Sequence, residues 1–270
     1  MRILFGLLSV FFLLLPLLGE TFTLKSWNVK RLSLNSLKKR DLAFREYINE
    51  PFDITTLQEI MDYDVVSKIT DKKIILSKKL GRGKYKEHIA FIVGNKYRDS
   101  SLKLYQYYDS HDSFERDPVM LLIDKKIGIV SVHLIYGRKS SLKYTHSGKT
   151  FSKREARALS NVFKYFSKKA KIPEKNIVIV GDFNLSYSDL QNIFHDKYNV
   201  YIQKPTTVST SFNRIGKSSY DHLCYKNTFV KGMVDYDVLE YTGGRSIQSR
   251  KTFRKTMSDH YPIIFKISIE

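Results

Sequence analysis

The sequence predicts a layered α/β fold, and three observations lead to it. Short β-branched and aromatic runs recur along most of the chain, each closed by polar residues or glycine. Two stretches between them repeat apolar residues at three- and four-residue spacings, as a helix with one buried face does. No internal repeat or proline-rich linker divides the whole, so strands and helices are expected to share one core. With 270 residues, 42% of them hydrophobic, the chain can bury a sizeable interior.

Taken in order, residues 1–19, MRILFGLLSVFFLLLPLLG, begin with one arginine and continue as an apolar run interrupted by Pro16. The run is short for a membrane span, so the expectation is a secretory signal peptide, with an uncleaved N-terminal anchor as the alternative because Leu17 spoils a small-x-small cleavage site. Residues 20–270 are then expected to form one extracytoplasmic domain. The predicted strands are TFTLKSWNV, DITTLQEI, KKIILSK, HIAFIVG, VMLLID, GIVSVHLIYG, NIVIVGDFN, SYDHLCY and YPIIFKISI. The first predicted helix is NSLKKRDLAFREYIN, with Leu37, Leu42, Phe44 and Ile48 on one side. The second, SKREARALSNVFKYFSKKA, has Ala156, Leu159, Val162, Phe163 and Phe166 at helical spacing, and Ser152 with Glu155 reads as a capping box at its start.

Lys and Arg number 46 against 27 Asp and Glu, a formal charge of +19 that points to polyanionic partners or anionic surfaces and says nothing of fold. Most basic clusters read as solvated turns and helix ends. The run GGRSIQSRKTFRKTMSDH differs, because Arg245, Arg250, Lys251, Arg254 and Lys255 lead into Asp259 and His260; as a loop beside a site they would contact phosphates. Cys224 is the single cysteine, so no intramolecular disulfide can form, and it reads as a small buried hydrophobe.

Polar residues that interrupt apolar runs carry the chemistry. In IVIVGDFNLS, strand alternation points Asp182 and Asn184 one way and Phe183 the other, which suits a cation and a phosphate oxygen equally with a plain turn. Glu59 closes LQEI as a hard oxygen ligand, and Asn28 closes SWN. His133, within SVHL, reads alone as a core histidine; with His260 and several acids at strand ends it reads as half of a proton-transfer pair. Phosphodiester hydrolysis needs such a set: a base for water, an acid for the leaving oxygen, and positive charge near phosphorus.

Together, SWNV, LQEI, YKEHIAFI, RDPVMLLI, SVHL, GDFN, SYDHL and SDHYPI follow the order and approximate spacing of the endonuclease/exonuclease/phosphatase superfamily, and the chain resembles its deoxyribonuclease I branch most. That resemblance implies a four-layer α/β sandwich of two packed mixed β-sheets flanked by helices. It implies that His133 pairs with Glu87 and His260 with Asp221, that Glu59, Asp259 and Asn28 hold a divalent metal, and that Asp182 and Asn184 orient metal, phosphate or water. Arg116, Tyr85 and Lys30 fall where it implies DNA contacts. Mg²⁺ is the implied cofactor, with Mn²⁺ or Ca²⁺ as alternatives, and the structural calcium sites and disulfide of deoxyribonuclease I do not carry over. The expected protein is a secreted, monomeric endonuclease on DNA with little sequence preference, needing no obligate protein partner. A sphingomyelinase-like or inositol-phosphate phosphodiesterase, a nuclease toxin subunit and a noncatalytic basic adhesin are the alternatives.

Overall fold

The computed structural model describes residues 20–40, 42–136, 148–195, 197–226 and 229–269, so the expected signal segment lies outside the described residues. Two six-stranded sheets pack face to face. The first contains β1 (Glu20–Leu32), β2 (Ile54–Ile60), β3 (Lys73–Leu76), β4 (His88–Val93), β11 (Phe229–Val234) and β12 (Ile263–Ile269), in the order β11-β12-β1-β2-β4-β3. The second contains β5 (Leu102–Gln106), β6 (Val119–Ile123), β7 (Ile127–His133), β8 (Ile177–Asp182), β9 (Asn199–Tyr201) and β10 (Asp221–Tyr225), in the order β5-β6-β7-β8-β10-β9. Each sheet is mixed: β1 runs parallel to β2 and β7 parallel to β8, while the other pairs are antiparallel.

The central strands are apolar on both faces because both faces are covered. Along β6, Val119, Leu121 and Ile123 join the core between the sheets, whereas Met120 and Leu122 join a second core on the outer face. That outer core is closed by α3 (Gly148–Ala170), whose Ala156, Leu159, Val162, Phe163 and Phe166 are fully buried, and by α4 (Tyr187–Phe194). On the other outer face, Trp27 of β1 packs on Phe44 and Tyr47 of α2 (Leu42–Ile48) and on Phe253 of α5 (Ile247–Thr256), with ring centroids 5.5, 5.3 and 6.4 Å apart. The expected four-layer sandwich is the observed architecture.

Three local expectations are corrected. The first predicted helix is two, α1 (Leu34–Leu37) and α2, and Leu42 is exposed; between them the Arg40 guanidinium donates to the carbonyls of Val29 and Lys30, tying the break to the end of β1. Ser152 and Glu155 lie inside α3 and form no capping box. Their side chains bond instead to other segments: Ser152 Oγ donates to Ile135 O (2.6 Å), and Glu155 accepts from the amides of Glu115 and Ile135. The basic run before Asp259 is the helix α5, and Arg250 in it is buried, donating to the carbonyls of Ser209, Arg245 and Ser211 rather than facing a site.

Candidate active site

Functional side chains gather at one end of both sheets, beyond the carboxyl ends of the two parallel strand pairs. In register, His133 of β7 lies beside Asp182 of β8, and Asp221 of β10 lies beside Asp182 from the other side. Neighbouring residues in register point to the same face, so the sheet itself delivers these three groups together. Gly181 makes the approach possible: its φ is +140°, and a Cβ there would lie 2.0 Å from Val132 O. Asn184 and Glu59, at φ 51° and 63°, also adopt left-handed backbone, which is strain stored in the residues that line the site.

Asp182 is the centre. Its Oδ2 lies 3.7 Å from His133 Nε2 and 3.7 Å from His260 Nε2, while Asn28 Nδ2 donates to it at 3.0 Å and to Glu59 Oε1 at 2.9 Å. Each imidazole is backed by a second carboxylate: His133 Nδ1 is 2.9 Å from Glu87 Oε1, and His260 Nδ1 is 2.8 Å from Asp221 Oδ2. These backing contacts fix Nδ1 as the protonated nitrogen and turn Nε2 of both rings toward the cleft. Arg116 adds a charge behind His133, with Nε 3.1 Å from Glu87 Oε2 as an ion pair and Nη1 donating to His133 O.

Burial acts against charge in all these groups, and their neighbours decide the outcome. Burial and Arg116 lower the His133 pKa, but Glu87 and Asp182 outweigh them and leave it raised. Burial raises the Glu87 pKa, yet His133 and Arg116 hold it below the ordinary carboxylate range. His260 is pushed up to about 10, because Asp221 and Asp182 more than offset burial. Asp182 rises to about 6 from burial and the nearby Asp221, against the pull of the two histidines. The site thus keeps two imidazoles biased toward the charged form around one reluctant carboxylate.

The donor chemistry fits a hard divalent cation. Glu59 and Asp182 converge on one Asn28 amide, and Asp182, Asp221 and His260 each offer a ligand atom within 4.8 Å of the others. Asp259 lines the same cleft but is engaged by two cations, with Lys30 Nζ at 3.6 Å and Arg254 Nη2 at 3.9 Å. Lys30 Nζ also donates to Arg254 O. The cleft beside these groups is about 400 Å³ and is lined by Lys30, Arg31, Glu59, Tyr136, Asn184 and Tyr220 among others. Tyr85 is exposed in an adjoining cleft with Arg116.

Every sequence-predicted site residue therefore lies in or beside this end of the sandwich, with His133, Glu87, Asp182, Asp221, His260, Asn28 and Glu59 in one connected cluster. Sequence reasoning missed Arg31, whose guanidinium stacks 4.9 Å from the Tyr85 ring centroid and whose amide donates to Glu59 Oε2. It also missed Tyr136 and Tyr220, whose rings pair across the cleft at 6.0 Å. The basic doublet Lys30–Arg31 was the available signal for Arg31; nothing in the pattern singled out the tyrosines.

Comparison with known proteins agrees with the fold. The fold is that of endonuclease/exonuclease/phosphatase proteins. An endonuclease/exonuclease/phosphatase family protein from Bacteroides thetaiotaomicron superposes with a TM-score of 0.62 at 16% identity, over 93% of this chain and 96% of that one. The human Nocturnin catalytic domain superposes with a TM-score of 0.57 at 14% identity, over 93% and 95%. In sequence, the chain is similar to deoxyribonuclease-1-like 1 of Rattus norvegicus, 26% identical over 93% of this chain and 83% of the relative. It is likewise similar to deoxyribonuclease-1 of Bos taurus, 26% identical over 63% of each. No family model matches the chain.

Proposed function

We propose that the protein is a secreted, divalent-metal-dependent endonuclease that hydrolyses DNA phosphodiester bonds with little sequence preference and leaves 5′-phosphate ends. The observation that carries this reading is the pair of carboxylate-backed imidazoles, each with Nε2 3.7 Å from Asp182. A phosphodiester lying over Asp182 meets a proton acceptor on one side and a donor on the other. One imidazole, acting from its neutral form, takes a proton from water as its oxygen bonds to phosphorus, and the other, charged, protonates the departing 3′ oxygen as the P–O3′ bond breaks. Asn28, Glu59 and Asp182 would hold the cation, with Mg²⁺ favoured by their hard donor atoms, and it would supply positive charge at the phosphoryl oxygens. Lys30, Arg31 and Arg116 bring backbone-directed charge, which confers affinity without reading sequence. No helix among the described residues is long and apolar enough to cross a membrane, and secretion rests on the N-terminal sequence alone.

A lipid phosphodiester is the second reading, favoured by one feature that the sequence pattern hid. Val208 bridges Gly216 in a hairpin whose root, Thr207, lines the site, and within it Phe212 is 85% exposed. One aromatic ring is small beside the surface that stable membrane docking needs, so DNA stays first. Plasmid nicking run beside sphingomyelin hydrolysis, each with Mg²⁺, with Ca²⁺ and with EDTA, separates the readings. Nicking that EDTA abolishes is expected; nicking unaffected by chelation removes the metal assignment, and sphingomyelin turnover without nicking replaces the substrate.

A further inference from the structure

Two buried glutamates outside the catalytic cluster tie together the three segments that wall the cleft. Glu155, on the second turn of α3, is 2% exposed. Its Oε1 accepts the amide of Glu115 at 2.7 Å and its Oε2 the amide of Ile135 at 2.6 Å. Those amides belong to different segments: Glu115 immediately precedes Arg116, and Ile135 lies between His133 and Tyr136. One turn earlier, Ser152 Oγ donates to Ile135 O at 2.6 Å, so the same residue of the wall is held at both its amide and its carbonyl. The chain of contacts continues outward. Glu115, 7% exposed, accepts the amide of Gly83 at 2.7 Å, which fixes the segment that carries Tyr85 and Glu87. Arg116 then closes the circle on Glu87 and on His133 O.

We infer that Glu155 is a positioning residue: its carboxylate holds the Arg116 and Tyr136 segments in register with the His133–Glu87 pair, and Glu115 extends that hold to the Tyr85 segment. A carboxylate is required for the geometry, because each oxygen must accept one backbone amide. A protonated carboxyl, or an amide side chain, presents a donor to one of the two amides and releases it. A helix-borne side chain that bonds the amides of two adjacent segments lining a cleft fixes those segments relative to each other, and displacements of about 1 Å cost ~100-fold in rate where positioning matters.

The charge state of Glu155 couples this hold to pH. Burial raises its pKa to about 7, against the two amide bonds and Arg116, which favour the charged form, and with Glu115 adding repulsion. Among the described residues, Arg116 and Glu115 are the charged groups that act on the carboxyl; the segment after β7 contributes the Ile135 amide. Above pH 7 the carboxylate accepts both amides. As pH falls through that value one bond is lost and the wall loosens.

The consequence for turnover rests on the phosphodiesterase reading; the clamp does not, and the test keeps them apart. Hydrogen exchange is followed by residue in the wild-type chain, in Glu155→Gln and in Ser152→Ala. In Glu155→Gln at least one of the amides of Glu115 and Ile135 is expected to exchange at least ~10-fold faster, while β1, β2 and β8 keep their protection. In Ser152→Ala the loosening is confined to residues 134–136, and this variant carries the test alone if Glu155→Gln does not fold. On plasmid DNA, Glu155→Gln is expected to lower kcat/KM by ~10- to 100-fold at pH 8 and to flatten the acid limb expected of the wild-type rate near pH 7. Unchanged exchange at Glu115 and Ile135, or a wild-type rate and pH profile in Glu155→Gln, overturns the inference. Faster exchange in a protein whose wild-type form cuts no DNA upholds the clamp and refutes the substrate.

Discussion

Replacing Asp221 by Asn separates the charge behind His260 from its shape. The amide can still accept from His260 Nδ1 at the 2.8 Å now occupied by Oδ2, so geometry survives while the negative charge goes. The rise of the His260 pKa from 6.5 to about 10, at ~1.36 kcal/mol for each tenfold change, is a net ~5 kcal/mol that the favourable partners together supply beyond what offsets burial. Asp221 shares that with Asp182 and Asp259, and a hydrogen bond to a charged partner is worth ~1.5–3 kcal/mol, so the pKa should fall by roughly one to two. The sign for stability follows. A histidine whose folded pKa is raised stabilises the fold fully below 6.5 and loses that contribution as pH rises toward 10. Asp221→Asn is therefore most destabilising near pH 6, and its deficit against wild type shrinks toward pH 10. NMR titration of His260 in metal-free buffer, urea unfolding at the two pH values, and plasmid cleavage, expected to drop at least ~100-fold, check the three consequences. An unchanged His260 midpoint would show that Asp221 does not set its charge, and the pairing argument would fail.

Replacing His133 or His260 by Ala should each lower DNA hydrolysis by at least ~100-fold in the same nicking assay while gel-shift binding persists; near wild-type cutting removes that histidine from proton transfer. Gly181→Ala forces a Cβ toward Val132 O at a φ of +140°, and thermal unfolding should report a loss of at least ~2 kcal/mol. Lys25 is fully buried, donating to Tyr47 O at 2.6 Å, and burial lowers its pKa to about 7, so between pH 7 and 10.5 the unfolded chain binds the extra proton and this group's contribution rises with pH. Lys25→Met should remove that rise: its stability relative to wild type, from urea unfolding, is greatest near pH 7 and declines toward pH 10, and a constant difference would refute the burial of a titrating amine. Binding to DNA measured across salt should weaken steeply, with Lys30→Ala and Arg31→Ala each reducing the slope by about one.

Much of the fold was legible because the central strands are buried on both faces. Continuous apolar runs such as VMLLI and IVIV announce themselves whatever their neighbours are. The edge strands β5, β9 and β11 escaped notice: β5 and β11 mix apolar with exposed residues, and β9 is three residues long. The clustering of the site residues was legible too, through polar residues placed where an apolar run ends. Its pairings were legible only through the resemblance, as for Glu87 and His133 46 positions apart, and the bond from Asn28 to Asp182 over 154 positions was not legible at all. Ser152 and Glu155 show the limit most clearly. Their spacing is the signature of a helix start, and the chain instead uses them in the body of a longer helix to hold distant loops.

By itself the sequence determined the identity of the elements and the chemical repertoire, since periodicity and side-chain type are local properties. Tertiary structure alone decided that Arg250 braces a hairpin while Arg31 stacks over Tyr85, and that a buried glutamate joins two segments lining the cleft. Those outcomes depend on strand register and sheet packing, which set the distances between residues far apart in the chain and which no local pattern encodes.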